Sequence, residues 1–229
     1  MELIKKHITR ENLIIFTCFT TLLGLFTTNF FRALPSISLI LLLVFCLARK
    51  DIFQKLPSFF HYKNVFFILS LSFFLHLPYF FTTDSFNLHY YFSCLERRVP
   101  FLGIGLALFF APKVSPKIYL YFIYVFLVCT FLSSFGSLIN YIINFEAINK
   151  ILAVGKPLPV IVNHVRYSLF TCFGVFCGFY LYKKQFSVFG KCWEKYLSLG
   201  MGIFLIIFSH LSGVRSGLLA FYVIVGLAV

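Results

Sequence analysis

The sequence predicts an all-α protein, a polytopic transmembrane helix bundle, and three observations carry that prediction. Hydrophobic residues make up 60% of the 229 and charged ones only 12%, with a mean hydropathy of +0.93, well outside the range of a soluble domain. Apolar runs recur along the chain at lengths suited to a hydrocarbon core about 30 Å thick. Lysines and arginines gather in alternate connections between those runs.

Eight candidate spans follow in order. Leu13–Phe31 comes after the basic residues Lys5, Lys6 and Arg10; it is too long for a secretory leader's apolar region and has no Ala-x-Ala cleavage site, so it reads as an uncleaved first helix. Leu34–Ala48 and Val99–Ala111 are short, and tilting, extension into their flanks or a re-entrant path would each accommodate them. Val65–Phe81, Ile118–Phe145, Val165–Tyr182 and Leu197–Leu211 complete the first seven. The eighth opens at Gly217 and is still apolar at Val229, after 13 residues, where a spanning helix needs roughly 20. The expectation is about eight spans with the C-terminus truncated, the N-terminal part of a longer protein.

Charge sets the orientation. With the N-terminus inside, the inner connections hold 13 of the 20 cations, at 5, 6, 10, 49, 50, 55, 63, 113, 117, 183, 184, 191 and 195. The outer ones receive Arg32, Arg97, Arg98, Lys150, Lys156, Arg166 and Arg215. The formal charge of +13 is therefore mainly a topology signal that suits contact with anionic headgroups, and dispersal over separate loops argues against nucleic acid as a partner. Seven cysteines without a Cys-x-x-Cys pair read as small apolar residues.

With no internal repeat or soluble domain, residues 1–229 read as a single, incomplete membrane-embedded domain. Two outer loops differ from the rest: 82–98, and 146–164 with a short helix expected before its Gly-Lys-Pro-Leu-Pro turn. The inner connections, "APKVSPK" and "KKQFSVFGKCWEK", look like solvated anchors without convergent polar groups. Glu96 is expected to pair with Arg97 or Arg98, and His76 to be a bonded core residue.

Chemistry is sought at two cations on the outer face. Arg166 opens the sixth span in "NHVRYSLF", and Arg215 stands between the seventh and eighth in "HLSGVRSGLL". Either could simply snorkel to lipid phosphates. Yet Arg166 has Asn163 and His164 within a turn, and Arg215 is bracketed by His210, Ser212, Gly213, Ser216 and Gly217. Guanidinium groups grip phosphate oxygens bidentately and helix N-termini add oriented amides, a combination that suits a diphosphate without a metal. The outer carboxylates Asp84, Glu96 and Glu146 are too scattered in sequence to read as a magnesium site.

At these residues the chain resembles the O-antigen ligase and O-antigen polymerase family of bacterial inner-membrane glycan-transfer enzymes. Three stretches carry the likeness: "LERRVPFLGIGLALFF", "GKPLPVIVNHVRYSLF" and "LSGVRSGLLAFYVIV". The last is similar to the Ser-x-x-Arg-Gly-like start of the shared core, taken here as 209–229, although Ser216 intervenes between Arg215 and Gly217. The resemblance implies about a dozen spans, a glycan linked to undecaprenyl diphosphate as donor, a lipid A-core sugar as acceptor, and arginines that hold the diphosphate at the periplasmic face. The candidate substrate-binding set is Arg166, Arg215, His164, Arg98 and Ser212. The histidine base that the resemblance implies belongs to a later periplasmic loop and is expected beyond Val229, so the chain as it stands is expected to be inactive. No metal or other cofactor is expected. The leading expectation is a ligase, with a polymerase as the alternative within the class and a polytopic transporter outside it.

Overall fold

The computed structural model describes residues 10–28, 30–31, 33–48, 52–61, 64–75, 77–78, 88–96, 98–112, 114–155, 157–160, 163–212 and 215–228. Their regular structure is helical throughout: α1 Arg10–Phe26, α2 Leu34–Leu47, α3 Ile52–Phe59, α4 Val65–Phe74, α5 Leu88–Glu96, α6 Val99–Phe110, α7 Pro116–Ile143, α8 Phe145–Ala153, α9 His164–Lys183, α10 Trp193–Leu211 and α11 Arg215–Ala228. A helix overlaps each expected span. Two of these, α7 with 28 residues and α10 with 19, are long and apolar enough to cross a membrane. The third expected span is shorter than its apolar run: α4 ends at Phe74, and His76 lies outside the described residues.

Local chemistry sets the helix starts. The Ser115 hydroxyl accepts from the Ile118 N–H ahead of Pro116, Asn64 accepts from Phe66 N–H at 3.0 Å, and Asn163 accepts from Val165 N–H at 3.0 Å. These side chains satisfy N–H groups that have no partner inside the helix.

The chain divides into two compact units, one of residues 1–24 and 32–114, the other of residues 25–31 and 115–229. In the first, α6 packs against α2, α3, α4 and α5. Gly103, Gly105 and Ala107 are buried on it, and the core gathers Ile14, Leu42, Cys46, Ala107 and Phe110. A Cβ on Gly105 would lie 2.7 Å from the Phe66 carbonyl oxygen on α4, so only glycine admits this contact.

In the second unit α9 is central, packed on α7, α10 and α11. It runs antiparallel to α10, with Tyr167 against Phe208 and Tyr182 against Tyr196. It runs parallel to α11, with Ser168 beside Ser216 and Phe176 beside Phe221. The α9–α10 crossing depends on Gly174 and Gly178, a small-xxx-small pair: a Cβ on Gly178 would stand 2.8 Å from the Ser198 carbonyl oxygen and 2.9 Å from the Gly202 Cα. Deep in the unit the Tyr167 phenol lies 2.7 Å from the Ser134 hydroxyl and 3.3 Å from the Thr130 carbonyl, which also accepts from Ser134 at 2.9 Å. These bonds satisfy polar groups that have no water to turn to.

The connection after α9 departs from the expectation of a solvated anchor. Phe186 N–H bonds to Leu181 C=O and Gln185 N–H to Tyr182 C=O, a Schellman ending in which Gln185, at φ 50°, occupies the place usually given to glycine. Phe186 turns inward, 5.2 Å from Tyr121 between ring centroids. Glu194, only 2% exposed, then accepts from the N–H groups of Val188, Phe189 and Lys191. This carboxylate organises the loop before its own helix.

Candidate functional site

The first turns of α9 and α11 form the centre of the site. Because these helices are parallel neighbours, their N-termini lie at the same end of the second unit. Arg166 is the third residue of α9 and Arg215 the first of α11, so both cations arise from adjoining helix starts. The two ends are joined closely. Ser168 donates to Val165 C=O at 2.8 Å, which leaves Ser216 as donor across the 3.2 Å between the two hydroxyls. Gly217 completes the contact, since a Cβ there would stand 2.6 Å from the Ser168 carbonyl oxygen.

Two helix N-termini side by side concentrate partial positive charge, and the orphan N–H groups of the first turns are natural anion donors. Arg166 and His164 are exposed at this end, while Asn163 is engaged as the α9 cap. Ser212 is different: it is 6% exposed, and its hydroxyl donates to Ser209 C=O at 2.9 Å, so it closes the end of α10.

Arg98 belongs to the first unit. It precedes α6 and its Nη1 donates to Cys94 C=O at 2.8 Å, bridging the turn between α5 and α6. Arg97, Lys156 and Asp84 lie outside the described residues, as do Gly213 and Val214.

Around the helix starts of the second unit, α8 and the 157–160 segment cover the end of the bundle. Ile148 and Leu158 pack with Tyr167 and Phe208, placing the expected short helix beside the α9 start. A recess of about 480 Å³ opens at the α7–α8 joint between Asn144, Glu146 and Lys150; Arg166 does not line it.

No known protein family, characterised protein or solved structure matches this chain. Its chemistry is therefore read from its own residues. Two contacts lay beyond the reach of the sequence. The Ser168–Ser216 tie has a sequence trace only in the hydroxyl residues flanking each arginine. The other joins His210 to Tyr222: Nδ1–H donates to Ile206 C=O at 2.8 Å, and Nε2 lies 2.8 Å from the Tyr222 hydroxyl, which donates to it when the ring is neutral. That bond ties α10 to α11 just behind Arg215.

Proposed function

We propose that this chain is a multi-pass protein of the bacterial inner membrane, N-terminus cytoplasmic, with about eight spans, and that it is a glycosyltransferase of the O-antigen ligase type. The donor is a glycan on undecaprenyl diphosphate and the acceptor a lipid A-core sugar hydroxyl at the periplasmic face. In the transfer, the acceptor oxygen attacks the anomeric carbon from the face opposite the leaving group. The bond from that carbon to the diphosphate oxygen breaks, the diphosphate departs with the electron pair, and the hydroxyl proton passes to a base. Arg166 and Arg215 stabilise the charge that builds on the leaving diphosphate, helped by the two helix N-termini. His164, the first residue of α9, belongs to the same helix start as Arg166.

The observation that supports this reading is the Ser168–Ser216 contact, which holds the starts of both arginine-bearing helices together. The experiment is transfer in vitro: full-length protein in vesicles, undecaprenyl-diphosphate-linked glycan and lipid A-core. Glycosylated lipid A-core formed without an ion gradient supports the ligase. Longer glycan still on the polyprenyl carrier indicates the polymerase. Uptake of donor across the bilayer with its diphosphate bond intact overturns the enzyme reading in favour of transport.

A further inference from the structure

A second feature stands at the opposite end of the same unit, away from the arginines. Between the start of α7 and the end of α9 runs a groove of about 280 Å³ lined by Tyr119, Ile123, Phe173, Phe176, Cys177 and Tyr180. Its lining side chains are apolar or aromatic, and polar atoms make up a minority of its surface. Phe173 and Tyr119 are each 56% exposed, so the trough is open along its side. Toward the bundle centre Phe173 meets Phe126 edge-on, ring centroids 5.2 Å apart.

The mouth has the opposite character. Lys184 brings its ammonium to 5.8 Å from the Tyr180 ring centroid, Lys183 adjoins it, and Lys117 precedes Tyr119 on the facing helix; all three are exposed. No carboxylate among the described residues of this unit balances them. The unit contains two, Glu146 and Glu194: Glu146 starts α8 at the other end, and Glu194 is committed to backbone N–H groups. An open apolar trough ending in unbalanced ammonium groups is complementary to one kind of molecule, with a hydrocarbon tail and an anionic head.

We propose that this groove binds an anionic phospholipid of the cytoplasmic leaflet, with an acyl chain along Ile123, Phe173 and Phe176 and the phosphate at Lys117, Lys183 and Lys184. Ammonium groups near a surface favour anionic lipid, tyrosines suit the boundary between chain and headgroup, and Tyr180 holds Lys184 over the mouth through its ring face. This site is independent of the transfer reading, since it lies at the other end of the helices and needs no reaction.

The test uses the whole chain in vesicles with Trp193→Phe, which removes the single native tryptophan, and Phe173→Trp as reporter. Acyl-brominated phosphatidylglycerol or phosphatidylcholine is titrated into unlabelled phosphatidylcholine. The expected result is half-maximal quenching at a roughly fivefold lower mole fraction of the anionic lipid, with the preference lost in Lys117→Ala/Lys183→Ala/Lys184→Ala. Lys191→Ala/Lys195→Ala, at the same end but away from the mouth, should keep it. Equal quenching by the two lipids overturns the proposal. So does equal loss of preference in both lysine variants, which would mean diffuse surface charge. Absence of quenching by either lipid also overturns it, showing the groove covered by protein, such as a second copy of the chain.

Discussion

Ser168 and Ser216 face each other across 3.2 Å, and next to them Gly217 lies so close to α9 that a Cβ would come within 2.6 Å of both the Ser168 Cβ and its carbonyl oxygen. The starts of α9 and α11 are thus held by a contact between backbones, which cannot yield as a flexible side chain can. Gly217→Ala should force the helices apart, with the cost of about 1–3 kcal/mol typical of overpacking. Gly226, on the same helix, is the control, because a Cβ added there would meet nothing within 4 Å. Gly226→Ala should be neutral or stabilising by about 0.4–1 kcal/mol. Thermal unfolding of the two variants in detergent checks this, and equal melting temperatures would remove the close-contact account.

If Arg166 and Arg215 hold one diphosphate, their effects must be coupled. Arg166→Ala and Arg215→Ala should each lower kcat by roughly 10²–10³-fold, the range seen when a transition-state donor is removed. The double variant should lose less than the product of the single losses, because groups serving one charge are not additive. Lysine at either position should restore only part of the activity, since it lacks the bidentate fork. Transfer kinetics on the parent, the single variants and the double variant test it, and strict additivity would assign the arginines to separate roles.

Tyr167 crosses the unit to reach Ser134 and the Thr130 carbonyl. Tyr167→Phe removes the hydroxyl but leaves Ser134 its own bond to Thr130 C=O. The loss should be about 1 kcal/mol, near the usual worth of one such bond in water or membrane. Ser134→Ala in the Tyr167→Phe background should then cost less than in the parent. A double-mutant cycle by thermal unfolding reads the coupling directly.

The helices were legible in the sequence because span length and loop charge are properties of consecutive residues. The short helix expected ahead of the Gly-Lys-Pro-Leu-Pro stretch is present as α8, which ends at Ala153. Placing Arg166 and Arg215 at helix starts needed nothing more. Neighbourhood is a different kind of information. Helices apolar on every side carry little sign of which face meets which partner, so the Ser168–Ser216 tie, the closeness of Gly178 to Gly202 and the burial of Ser212 could not be read from hydropathy. Glu194 was missed for a related reason: its three N–H donors converge only once the backbone has turned through positive φ at Gln185 and Gly190.

Gln185 should respond to glycine. It closes α9 at φ 50°, where a side chain costs roughly 1 kcal/mol that glycine does not incur. Since Gln185 is exposed, Gln185→Gly should raise the melting temperature, whereas Gln185→Val should lower it because a β-branched residue fits this region poorly. Equal melting temperatures for the three proteins would mean that the loop does not hold this backbone conformation.

Glu194 makes the same loop sensitive to acid. It stands in the first turn of α10, at the loop end of the helix and ahead of the apolar run that begins at Leu197. Desolvation raises its pKa, but the N–H groups of Lys191, Phe189 and Val188 and the charge of Lys191 together outweigh that and hold it below its ordinary 4.5. A depressed folded-state value means that the carboxylate contributes stability above the unfolded pKa and loses it as pH falls through the folded one. The wild-type melting temperature should therefore exceed that of Glu194→Gln at neutral pH, and the two should converge as the pH drops below about 4.5, where the protonated acid and the amide become alike. Melting curves measured from neutral pH downward decide it: a constant gap between the two proteins would show that the charge on Glu194 does not support the loop.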